Sequence, residues 1–218
     1  MKLTIDQLQC IDKTLIKKGI KFDDIKLEMI DHIASEIECE MEENQKPFQE
    51  AFTQVFERWK PDFELTRAYF SLNTYYPKLA KNRFDNLIKL ELITFCTILA
   101  TLFLSFELLT DSNAKFQFIF WMKKVFLYAY FGTMGLGLFF TVLNYKSKIS
   151  SSYKYRFDKR FISILCWLFV VFNDRVPNSN LAQNLMVLLM SFMFMFLLST
   201  VYLGFKHYQF QRQLSIKL

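Results

Sequence analysis

The chain has 218 residues, of which 52% are apolar and 26 are Phe, with a formal net charge of +6. That is rich for a water-soluble domain yet modest for a chain held wholly in lipid, and five Gly in all leave little room for a phosphate-binding glycine loop. Charge is segregated: residues 1–80 carry 11 Lys+Arg against 15 Asp+Glu, and residues 81–218 carry 16 against 6. The basic residues of the second part lie beside and between apolar runs, where they set topology and meet anionic membrane lipid, so the high isoelectric point does not argue for direct nucleic-acid binding.

Met1 to Lys26 has no apolar core and is dense in charge, so no secretory signal is expected there. Thr4 followed by Gln7 has the spacing of a capping box. Ile5, Leu8, Ile11 and Leu15 then recur at steps of three and four until Gly19 offers a stop, which predicts a first amphipathic helix. Asp23 or Asp24 can cap a second helix with the apolar stripe Ile25, Met29, Ile33, Ile37 and Met41. Pro47 suits the first turn of a third helix, on which Phe48, Ala51, Phe52, Val55, Phe56 and Trp59 share a face, ending before Pro61. Isolated helices this short are marginal in water, so the three are expected to pack together with Phe52, Phe56 and Trp59 in the core. Over Asp62 to Tyr76, FELTRAYF reads as one or two helical turns, followed by a connection to Pro77. Cys10, Cys39, Cys96 and Cys166 form no Cys-x-x-Cys pair and are expected to be reduced, buried small hydrophobes.

His32 has Glu28 and Glu36 one helical turn before and after it, so three potential metal ligands share a face. One imidazole and two carboxylates on a single helix leave a metal short of ligands, and no second His or Cys lies at ligand spacing. A surface His engaged in a hydrogen bond or a partner contact is therefore the preferred reading. No nucleophile motif is present, and neither a catalytic residue nor a cofactor is expected.

The run DIKLEMIDHIASEIECEM followed by PFQEAFTQVFERW resembles the helical signalling domain of bacterial membrane proteins associated with PadR-type transcriptional regulators. Asp31, His32 and Ile33, then Phe48, Glu50 and Ala51, occupy the places of that pattern over about the first 65 residues, while Trp59-Lys60-Pro61 stands where a Gly-containing turn is usual. The resemblance implies a sensory or protein-contact module with no catalytic residue, and a transcriptional regulator as a cytoplasmic partner.

From Leu90 to Leu109 a helix would be about 30 Å long, the thickness of a bilayer core, with Glu91 and Glu107 near its edges. Spans are predicted at about 87–110, 123–145, 158–176 and 181–205. The stretch KFQFIFWMKK before the second is either an interfacial helix or an extension of that span. Within the second, Ala129, Thr133, Gly137 and Thr141 recur every fourth residue as a helix-packing face. Asn144 to Arg160 holds six Lys or Arg against one Asp, which assigns this loop to the cytoplasm. Arg160 is expected to snorkel at one end of the third span, and Pro177 to Asn180 to form an outer turn. Met186, Met190 and Met193 share a face of the last span, where packing is a better reading than a copper(I) row. The absence of Asp, Glu, Lys and His in mid-span of the second and fourth segments weighs against an ion-coupled transporter.

The expected fold is all-α: a small cytoplasmic three-helix domain over residues 1–76, then a four-helix transmembrane bundle over 77–218, in the plasma or inner membrane with both termini cytoplasmic. The expected role is regulatory and non-catalytic, through a signalling or protein-interaction module, with homo-oligomerisation open. A small transporter, or an accessory subunit of a membrane complex, is the alternative.

Overall fold

The computed structural model describes residues 2–67, 75–145, 149–165, 176 and 179–217. The chain divides into two units, Met1–Leu87 with Ile149–Ser152, and Ile88–Lys148 with Tyr153–Leu218. Among the described residues the structure is helical apart from one short ribbon.

In the first unit, α1 (Ile5–Lys17) starts on a full capping box: Gln7 N–H donates to Thr4 Oγ1 and Thr4 N–H to Gln7 Oε1. It ends in a Schellman turn, in which Gly19 N–H donates to Ile16 O and Ile20 N–H to Leu15 O. Gly19 sits there at φ 88°, a conformation that a side chain would strain. Helices α2 (Asp23–Glu43) and α3 (Phe48–Trp59) follow, and a 3-10 turn over Lys60–Phe63 closes α3. Ile11, Leu15, Ile25, Met29, Ile33, Ile37, Ala51 and Val55 are buried at their shared interface. Each large aliphatic among them is worth about 1.5–3 kcal/mol of transfer free energy.

Two sequence expectations change here. Phe52, Phe56 and Trp59 are half-buried, while Ala51 and Val55 are the enclosed residues of α3. Small side chains on the line facing α2 let the backbones approach, which leaves the rings on the flank. There Phe52 packs on Phe56 with centroids 4.4 Å apart, and Phe56 on buried Phe63 at 5.9 Å. In place of a helical turn over 65–67, β1 (Leu65–Arg67) pairs antiparallel with β2 (Tyr75–Pro77) in the register Leu65–Pro77, Thr66–Tyr76, Arg67–Tyr75, and the rest of FELTRAYF, 68–70, lies outside the described residues. Cross-strand pairing decides this segment, and local propensity cannot reveal it.

Helix α4 (Lys78–Glu107) begins in the first unit and continues into the second, followed by α5 (Ser112–Tyr145), α6 (Ser152–Leu165) and α7 (Asn180–Lys217). Three stretches are long and apolar enough to cross a membrane: Asp85–Glu107, Ser112–Tyr145 and Asn180–Leu214. The expected span at 158–176 begins in α6, and its residues 166–175 lie outside the described residues. Asp111 Oδ2 accepts from Ala114 N–H at the start of α5, which then runs unbroken through Lys123 and Lys124. The KFQFIFWMKK stretch is thus an extension of the second long helix. The core of this unit is Met122, Phe126, Tyr130, Ile164, Met190, Met193 and Leu197, with a smaller cluster of Phe106, Ile119 and Val187.

Charge also joins α2 to α3. Arg58, Asn44 and Lys46 all donate to Glu40, which holds its carboxyl at a pKa of about 2, below the ordinary 4.5. A carboxylate depressed in the folded state contributes stability that is complete above about pH 4.5 and lost as the pH falls toward 2. Hydrogen-exchange protection of α2 and α3 should fall across that window in the wild type and fall less in Glu40→Gln; identical pH profiles would contradict the assignment. In the same assay Ile33→Ala, at a site with no solvent exposure, should cost about 2–5 kcal/mol.

Candidate functional site

The face expected around His32 does not assemble. His32 and Glu28 are exposed, whereas Glu36 turns to α3, accepting from Trp59 Nε1 at 3.1 Å and pairing with Arg58 at 3.5 Å. Among the described residues no group of three or more His, Cys, Asp or Glu could hold a metal. Cys10, Cys39 and Cys96 are free and exposed, not buried as expected; Cys10 and Cys39 fall outside the apolar stripes of α1 and α2. A hydrogen bond with Glu43 raises the Cys39 thiol above its ordinary range, which makes it a poor nucleophile. Cys166 lies outside the described residues.

The acidic start of α2 does something else. Phe22 is the N-cap, and neither Asp23 nor Asp24 caps its own helix. Their carboxylates instead hold a segment 127 and 128 residues further along. Ser150 N–H donates to Asp23 Oδ2 and Ser152 N–H to Asp24 Oδ1, each at 2.8 Å; Ser152 Oγ–H donates to Asp24 Oδ2, and Asp23 N–H to Ser150 O at 2.6 Å. Asp24, Ser151 and Ser152 are buried, so the carboxylate exchanges water for charge-assisted hydrogen bonds to both of its oxygens. Lys26 completes the group, 3.0 Å from Asp12 and 3.5 Å from Asp23. Burial alone would favour its neutral amine, but the two carboxylates outweigh that and raise its pKa. Nothing local in the sequence marks this arrangement, since adjacent Asp residues at a helix start ordinarily read as caps.

A second polar cluster lies within the second unit. Glu91 of α4 was expected to reach headgroups or water, and Arg160 of α6 to snorkel; the two are instead paired. Glu91 accepts from Arg160, from Arg156 of the same helix at 3.3 Å, and from Ser199 Oγ of α7 at 2.9 Å. Arg160 also donates to Ser199, and its guanidinium lies 5.0 Å from the centroid of Phe196. The side chains of Glu91, Arg156 and Arg160 are 16%, 14% and 14% exposed, so two guanidinium groups share one carboxylate largely away from solvent and the cluster carries a net charge of +1. One carboxylate thus ties three helices together.

Of the expected packing face, Thr133 and Gly137 are buried, Ala129 is half-buried and Thr141 is exposed. A Cβ at Gly137 would sit 2.1 Å from the ring of Phe161, so glycine is what lets α6 lie against α5. Met190 and Met193 are enclosed among Phe126, Tyr130 and Ile164, with Met186 against the cluster, as packing residues.

Removing one member of the Glu91 cluster should strand the others. Glu91→Gln in the full chain should lower thermal stability by an amount equivalent to about 3 kcal/mol. Adding Arg160→Gln should cost less than the sum of the two single changes, because the pair is coupled. Strict additivity in that cycle would show that the charges do not interact.

No protein family, no curated protein and no solved structure matches the chain.

Proposed function

We propose that the chain is a multi-pass membrane protein with four spans and both termini cytoplasmic, whose N-terminal helices form a regulatory, non-catalytic signalling module. The membrane part of this reading is supported by three helices of spanning length whose apolar side chains, among them Leu92, Ile93, Leu104, Val125, Phe139, Leu185 and Leu198, are exposed in the chain by itself. A surface of that kind needs lipid or a partner to cover it.

The observation that carries the signalling part is the grip of Asp23 and Asp24 on residues 150–152. The stretch between α5 and α6 is thereby built into the N-terminal unit, which is more than a passive tether needs. The resemblance of the first 65 residues to the signalling domain associated with PadR-type regulators supplies the partner class, a cytoplasmic transcriptional regulator. The exposed side chains of Leu27, Asp31 and His32 on α2 are the contact surface this reading assigns. The Glu91 cluster is the observation that favours the alternative, a small transporter or accessory subunit, since ionisable groups among spanning helices often mark a pathway. Here each of those charges is engaged by another, which suits a clamp better.

Full-length protein purified in neutral detergent from its native cells should carry a winged-helix DNA-binding protein with it, and Asp31→Ala with His32→Ala should reduce that capture without unfolding the chain. Replacement of exposed His32 alone should change stability by less than about 1 kcal/mol. Co-purification of no regulator, or capture indifferent to the α2 surface, would count against the signalling reading.

A further inference from the structure

The last turn of α5, the first turn of α6 and the stretch of α7 around His207 meet in a polar cluster that plays no part in the function argued above. Asn144, 2% exposed, is its centre. Its backbone oxygen accepts from Lys154 Nζ at 3.4 Å, and its Oδ1 accepts from Gln211 Nε2 at 3.2 Å. The same Gln211 nitrogen lies 2.7 Å from Nε2 of the fully buried His207. An amide nitrogen can only donate, so His207 Nε2 is the acceptor and the imidazole is neutral. Asn144 Nδ2 remains: it is buried, and among the described residues it has no acceptor.

The surroundings say what kind of acceptor is missing. Neither α5 nor α7 contains an Asp or Glu, so no carboxylate from either helix can meet this nitrogen. Asp158, one turn beyond Lys154 on α6, is exposed and its charge acts on Lys154, while Asn144 Nδ2 has no hydrogen-bond partner among the described residues. Lys154 lies against the cluster, and Lys206 and Arg212 flank His207 and Gln211 in the sequence of α7, so the potential at this end of the unit is positive. A buried amide donor beside an ammonium, with carboxamides holding it in place, is suited to an oxyanion.

We propose that Asn144 Nδ2 and Lys154 bind a phosphate oxygen at this end of the second unit, with Gln211 and His207 fixing the orientation of the Asn144 amide. The phosphate comes either from the headgroup of an anionic lipid or from a free phosphate in solution. The lipid source rests on the membrane reading, and the free source does not.

The test is thermal unfolding of the full chain in neutral detergent. It is run with added phosphatidylglycerol against phosphatidylcholine, and with sodium phosphate against sodium chloride at equal ionic strength. A midpoint several degrees higher with phosphatidylglycerol assigns a lipid headgroup, and one higher with phosphate assigns the free anion; either supports the site. Asn144→Asp removes the amide donor and puts a carboxylate in its place, so it should lose the ligand-induced rise. Lys154→Gln, which removes the charge and leaves a shorter polar side chain, should weaken that rise. No rise with either phosphate source, which is the result a bound water would produce, overturns the proposal. So does a rise kept in full by Asn144→Asp.

Discussion

A carboxylate on an apolar helix must be compensated where it lies, and in the second unit that requirement falls on Glu91. Its oxygens are taken by Arg156 and Arg160 of α6 and by Ser199 of α7, so α4, α6 and α7 are held at one level by a single acidic residue. Apolar contacts alone would not fix that level, since a helix clothed in Leu, Phe and Met slides against its neighbours at little cost where lipid replaces water. Ion pairing gives the height, and close approach, with Gly137 against Phe161 and Gly204 against Phe140, fixes which faces meet. The polar residues that enter this unit are thus registration devices for an otherwise uniform apolar surface.

The first unit works by the opposite rule. Its core is small and conventional, but its second helix carries more acid than a soluble helix needs, and the acid is divided among distinct tasks. Glu36 and Glu40 reach α3, Glu38 accepts from Leu3 N–H, and Asp23 and Asp24 grip residues 150–152. Glu28, Asp31, Glu42 and Glu43 are exposed, the first two beside His32.

What was legible in the sequence was whatever is written locally. The Thr4–Gln7 box and the Gly19 stop gave the ends of α1, the stripe from Ile25 to Ile37 gave the buried face of α2, and run length gave the three long apolar helices. What escaped was set by partners distant in the chain. Leu65–Arg67 becomes a strand because Tyr75–Pro77 lies beside it, and the Asp24 carboxylate serves Ser152 instead of capping its own helix. Glu91 and Arg160, each reasonable at a membrane edge when taken alone, prove to be one another's partners. The buried face of α5 was only half legible for a related reason. Phe, Leu, Tyr and Met surround that helix, so hydrophobicity does not distinguish the side turned to protein from the side turned outward.

The central claim is that the apolar helices cross a membrane while the segment gripped by α2 stays with the N-terminal module on the cytoplasmic side. The most direct measurement is thiol labelling of intact cells with a membrane-impermeant maleimide, after replacement of Cys10, Cys39, Cys96 and Cys166. A single cysteine is placed either at Ser179, before α7, or at Ser150, in the gripped segment. The account predicts labelling at position 179 in intact cells and labelling at position 150 only after the membrane is opened. Labelling at position 150 from outside would contradict it.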